Sequence, residues 1–159
     1  MEIYLVQHGE AKSESEDPER PLTEKGRQDV EAVARYIASL GIEVTQVLHS
    51  GRLRARQTAE LFAQYLSPAQ GVREETGLGP QDDPERARRL IEQAKRPLMI
   101  VGHLPYLSRL VSLLILGTAE KEVIKFSKGG VVCLSRRDDQ WSIEWSLIPQ
   151  LIRLDQPSM

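Results

Sequence analysis

The chain has 159 residues, 40% of them apolar and 28% charged, with 21 Lys+Arg against 23 Asp+Glu and a net charge of −2. These figures exclude a disordered chain and suit one globular domain, expected over residues 1–159, that buries roughly 68–70% of its unfolded surface without staples. The near-neutral charge speaks against a dedicated nucleic-acid binder, and the lone Cys133 excludes an intrachain disulfide and favours a cytoplasmic address.

Ile3 to Val6 is a short apolar run that predicts a buried strand ending at Gln7-His8-Gly9. The N-terminus lacks the charged lead and long apolar stretch of a signal peptide. Residues 12–21, KSESEDPERP, predict a long polar loop of the kind that borders a site. Thr23 is placed to cap a helix with Val30, Val33, Ala34, Ile37 and Leu40 on one face and Gly41 as its stop. Gln46 to His49 reads as a second strand. Ala55, Ala59, Phe62 and Leu66 then mark a second helix that Ser67-Pro68 ends. Residues 67–81 are expected to be loop. Asp83-Pro84 opens a helix with Ala87, Leu90, Ile91 and Ala94 inside. Leu98 to Val101 suits a central strand. Pro105 opens an apolar helix to Leu116; the greasy stretch 104–116, interrupted by Arg109, is shorter than the about 20 residues of a membrane span. Residues 131–135 and 141–148, joined by Asp138-Asp139, predict an antiparallel pair. The expected fold is an α/β three-layer sandwich with a mostly parallel central sheet and an antiparallel edge.

Ligands of open α/β sheets bind outside the carboxyl ends of the strands. All three histidines of the chain fall at such ends: His8, His49 and His103. His8 and His103 each adjoin a glycine, which would leave room for a ligand near the backbone. His49 lacks that setting and is expected to be structural or solvated. Ser50 to Arg54 lies at a strand-to-helix junction, where free N–H groups and the helix dipole favour an anion. Arg54, Gln57 and Thr58 share one helical face, whereas Arg52 and Arg56 read as surface residues. Two histidines and an arginine are compatible with metal, phosphate or acyl chemistry. No HExxH, GxSxG or lysine-bearing phosphate loop is present. Phosphate fits best, because guanidinium forks match its oxygens and a neutral imidazole can attack phosphorus.

Four ordered blocks carry a resemblance. They are Gln7-His8-Gly9; Arg20-Pro21-Leu22-Thr23-Glu24-Lys25-Gly26; Ser50-Gly51-Arg52-Leu53-Arg54-Ala55-Arg56-Gln57-Thr58; and Val101-Gly102-His103-Leu104-Pro105. In this order they resemble the histidine phosphatase superfamily, with its phosphoglycerate mutase-like fold. The compact length is similar to the short SixA-type phosphohistidine phosphatases. The resemblance implies His8 as a nucleophile that becomes phosphohistidine, with Arg54 and His103 holding the phosphoryl oxygens. Gln7, Gly9 and Ser50 would help bind a phosphate-bearing substrate, for instance a histidine-phosphorylated protein, with no metal or organic cofactor and no nucleic-acid or membrane partner.

Two positions depart from the family pattern. Gln7 stands where the family has arginine. A charged hydrogen bond is worth roughly 1.5–3 kcal/mol against about 1 for a neutral one, so a loss of roughly ten- to a hundredfold is expected. A weakly active or non-catalytic phosphate-binding module is therefore one alternative. Gly77 stands where many relatives carry a glutamate that protonates the leaving group, with Glu74 and Glu75 a little upstream. A leaving imidazole that already carries its proton departs more easily than an alkoxide. That favours phosphohistidine over a small-metabolite phosphomonoester, the other alternative.

Overall fold

A computed structural model of the chain describes residues 1–153; the end of the expected 1–159 domain lies outside the described residues. The elements run β1 (Glu2–Gln7), α1 (Glu24–Ser39), β2 (Gln46–His49), α2 (Leu53–Leu66), β3 (Val72–Glu74), α3 (Glu85–Gln93), β4 (Leu98–Gly102), α4 (Tyr106–Leu116), β5 (Val131–Arg137), β6 (Gln140–Leu147) and α5 (Pro149–Arg153). One six-stranded sheet has the order β3-β2-β4-β1-β5-β6. The first four strands in that order are parallel and the last two are antiparallel. This is the expected α/β sandwich with its antiparallel edge.

The layers follow from the alternation of side chains along the strands. In β1, Tyr4 and Val6 join a core with Val30, Val33 and Ile37 of α1 and Ala55, Ala59 and Phe62 of α2. Ile3 and Leu5 face the other way, onto Ile91 of α3 and Leu107, Leu110 and Val111 of α4. A strand covered on both faces must be apolar at every position, which is why β1 and β4 read as continuous runs. Phe62 is fully buried; truncating such a side chain to alanine costs about 3–5 kcal/mol, a large part of the roughly 5–15 kcal/mol that holds a domain folded.

Local signals set the boundaries. The Thr23 side chain accepts from the Gly26 N–H and caps α1. Asp83 Oδ1 accepts from the Glu85 N–H at 2.9 Å at the start of α3. Ser67, with φ of 47°, ends α2 before Pro68. Asp138 and Asp139 both have positive φ, 52° and 62°, as a two-residue turn that follows the twist of its strands requires.

Three expectations are corrected, and one element is new. Leu40 is not on the buried stripe of α1: it is the C-cap, where the chain leaves the helix, and is 58% exposed. The segment 67–81 is not all loop, because β3 adds a parallel edge to β2; three residues are too few to show a period. Strands β5 and β6 start or end up to two residues away from the predicted bounds, since the tight turn lets pairing run to Arg137 and Gln140. Helix α5 had no signal in the sequence and packs on α1.

Candidate active site

Strand register assembles the site. Gln7 of β1 pairs with Gly102 of β4, and His49 of β2 pairs with Val101 of β4. The next residues, His8, His103 and Ser50, therefore emerge on one edge of the sheet. The His8 N–H donates to the Gly102 carbonyl at 3.0 Å. The rings of His8 and His103 lie 5.0 Å apart between centroids, tilted by 54°. Ser50 Oγ and His103 Nε2 are hydrogen-bonded at 2.6 Å. Both histidines are buried.

His8 Nδ1 lies 2.7 Å from the Gly9 carbonyl. A carbonyl can only accept, so Nδ1 carries the proton and the lone pair of a neutral ring sits on Nε2. Burial lowers the His8 pKa to about 4, with the neighbouring cations Arg54, Lys128 and Arg20 working in the same direction against the Gly9 hydrogen bond. Burial also lowers His103, to about 3, helped by His8, Arg54, Arg52 and Arg20. Both imidazoles are thus neutral near pH 7, the form in which His8 has an electron pair to give.

Helix α2 brings the remaining parts. Among the described residues, Arg54 Nε and His103 Nδ1 are buried without a hydrogen-bond partner, as are Gln7 Oε1, Tyr106 Oη and Trp141 Nε1. Each unsatisfied group costs about 1–3 kcal/mol; the two nitrogens at the histidine pair, Arg54 Nε and His103 Nδ1, suit a polar guest. Gln57 Oε1 accepts from the Leu22 N–H at 2.8 Å. Thr58 Oγ1 accepts from the Gly9 N–H at 3.0 Å and donates to the Arg54 carbonyl at 2.8 Å. One face of α2 thereby carries Arg54 and holds the loop before α1 and the backbone beside His8.

The room expected beside Gly9 is occupied where a side chain would stand. A Cβ there would lie 2.8 Å from Val30 Cγ2 and 3.1 Å from the Gly26 carbonyl. The space is filled by α1, not left for a ligand. With its N–H taken by Thr58 and its carbonyl by His8, Gly9 orients the histidine. His49 is structural, as expected: it is buried and its Nδ1 accepts from the Gly51 N–H at 3.0 Å. Arg52 and Arg56 are exposed as expected, although Arg52 still acts on His103 through its charge. The 12–21 loop does border the site, through Arg20, whose charge reaches both histidines and Arg54. Sequence reasoning gave Arg20 no role of its own; its place in the second block was the available signal.

Gly77 has φ of 90° and packs against Arg86. Glu75 is paired with Arg73 and Arg86. The Glu74 carboxylate lies against Gly51, 2.6 Å from where a Cβ would be. Among the described residues no three His, Cys, Asp or Glu side chains could together hold a metal ion, and no helix is long and apolar enough to cross a membrane. The groups that come together are two imidazoles, the Ser50 hydroxyl and the Arg54 guanidinium, a set suited to an oxyanion.

Comparison with known proteins gives the same direction. The sequence profile of the histidine phosphatase superfamily (branch 1) matches residues 3–82. An uncharacterized protein of Picosynechococcus is 32% identical over 142 residues, 84% of each chain. The phosphohistidine phosphatase SixA of Escherichia coli is 27% identical over 122 residues, 74% of this chain and 76% of its own. The structure of the protein histidine phosphatase SixA complexed with tungstate matches with a TM-score of 0.82, at 23% identity, over 96% of this chain and 99% of that one. A mycobacterial glucosyl-3-phosphoglycerate phosphatase, complexed with VO3, has a TM-score of 0.73 at 16% identity over 91% and 97% of the two chains. At these identities the structural likeness concerns the fold, which is phosphoglycerate mutase-like.

Proposed function

Since the chain belongs to branch 1 of the histidine phosphatase superfamily, we propose that it is a metal-independent phosphatase that hydrolyses phosphohistidine through a covalent intermediate on His8. The observation that carries this reading is the state of His8: neutral, with its proton fixed on Nδ1 by the Gly9 carbonyl and its lone pair on Nε2.

In the first step Nε2 of His8 attacks phosphorus and the bond from phosphorus to the substrate nitrogen breaks. The leaving imidazole departs neutral if it entered with a proton. Arg54 and His103 hold the phosphoryl oxygens as charge shifts among them. In the second step water attacks phosphorus, the bond to Nε2 breaks and inorganic phosphate takes the proton of the water. Ser50, bonded to His103, keeps that ring oriented. No carboxylate stands at position 77, so a leaving group that needs a proton is disfavoured. This, with the name of the Escherichia coli relative, supports phosphohistidine over an alkyl phosphate.

The test is trapping. Incubation with a protein carrying labelled phosphohistidine, followed by an alkaline quench, leaves label on His8. His8→Asn abolishes the label and lowers turnover by at least about a thousandfold. Preference for sugar or aryl phosphates would point to a small-metabolite phosphomonoesterase. The uncharged Gln7 favours a second reading, a phosphate-binding module. Phosphate binding without label or turnover would establish that one.

A further inference from the structure

The segment after α4 returns to the site edge beside β1. Lys128 forms an isolated parallel bridge with Gln7, and the Gly129 N–H donates to the Gln7 carbonyl at 2.9 Å. Paired residues on adjacent strands present their side chains on the same face, with backbones about 4.8 Å apart. The Lys128 side chain therefore leaves the chain alongside that of Gln7. Gln7 is buried and carries no charge, whereas Lys128 is exposed, on a long flexible stem. No carboxylate pairs with Lys128 among the described residues, although the chain has more carboxylates than cations.

The electrostatics agree with this placement. Of the cations that act on His8, Lys128 ranks after Arg54 and ahead of Arg20. Gln7 pairs with Gly102 of β4 on one side and bridges Lys128 on the other, so Lys128 stands across β1 from the strand that leads to His103.

We propose that Lys128 is a phosphoryl-binding residue of this site, its ammonium meeting the oxyanion on the Gln7 side of His8. The inference rests on the phosphatase reading of the same pocket. It makes the departure at position 7 a relocation of charge: a cation on a flexible stem from a neighbouring segment replaces one fixed on β1. A mobile lysine contributes a point charge and no planar fork, so its effect falls on anion affinity and KM more than on kcat.

The test is orthovanadate affinity, measured by calorimetry on the full chain, for the wild type, Arg54→Ala, Lys128→Gln, Lys128→Arg, Gln7→Arg and the Gln7→Arg/Lys128→Gln pair. Lys128→Gln is expected to weaken binding about tenfold, and Lys128→Arg to preserve it. Gln7→Arg is expected to strengthen binding more in the Lys128→Gln background than in the wild type, because the two cations fill one role. Vanadate bound by the wild type, weakened by Arg54→Ala and indifferent to Lys128→Gln would overturn the role of Lys128 alone. So would an equal gain from Gln7→Arg in both backgrounds. A wild type that binds no vanadate removes the phosphatase reading, and this inference with it.

Discussion

An imidazole attacks phosphorus only when it is neutral and its free electron pair is on the nitrogen turned to the substrate. At His8 both conditions come from the backbone and from burial, with no acid or base partner needed. The Gly9 carbonyl selects the tautomer, and loss of solvent, followed by the nearby cations, drives the pKa to about 4. A histidine in water titrates near 6.5, so roughly a quarter of it would be protonated and unreactive at pH 7. Nitrogen NMR of the free protein at neutral pH is expected to show His8 with a protonated Nδ1 and a bare Nε2. On acidification it should hold that state well below pH 6, with a midpoint near 4. A midpoint near 6.5, or a proton on Nε2, would remove the reason for assigning His8 as nucleophile. The same positive surroundings have a consequence for binding. On the proposed reading, a dianion entering among Arg54, Arg20, Arg52 and Lys128 would offset their mutual repulsion, so the charges that depress the histidines in the free protein would attract it.

Elements hold these residues in place through contacts remote in sequence. Thr23 caps α1 and also donates to Glu10 Oε2 at 2.6 Å, while its N–H donates to the Glu10 carbonyl at 3.0 Å. Gly26, one turn into α1, lies so close to Glu10 that a Cβ would sit 2.1 Å from the Glu10 carbonyl oxygen. Helix propensity alone favours Gly26→Ala by up to about 1 kcal/mol. The overlap is with backbone and cannot be relieved by rotating a side chain, so the steric term wins. Thermal unfolding of Gly26→Ala is expected to show a lower midpoint than the wild type, with reduced turnover because the 8–23 segment moves away from α2. A higher midpoint would show that the contact between α1 and Glu10 is looser than described.

These contacts also explain what the sequence made legible. Apolar runs and three- and four-residue steps located β1, β2, β4 and the helices α1 to α4, because each such pattern is local. The caps at Thr23 and the turn at Asp138-Asp139 were legible for the same reason. The part of Gly9 was not, since Val30 and Thr58, which surround it, are 21 and 49 positions away along the chain. Nor was Lys128: nothing near it in sequence says that it returns to the edge of β1. Strand β3 and helix α5 are short and depend on the neighbours they pack against.

At the scale of the whole molecule, the topology places the ends of β1, β4 and β2 side by side with α2 leading away from them. A chain with a net charge of −2 nevertheless gathers Arg20, Arg52, Arg54 and Lys128 around two neutral imidazoles. That concentration at one edge of the sheet is what a pocket for a doubly charged guest requires, and overall composition does not reveal it. The most direct measurement is a crystal structure of the protein grown with orthovanadate. The account predicts vanadium bonded to Nε2 of His8, with oxygens on Arg54 and His103 and Lys128 turned towards the ion. Vanadate bound elsewhere, or resting in the pocket against Nδ1 with Arg54 turned away, would contradict it.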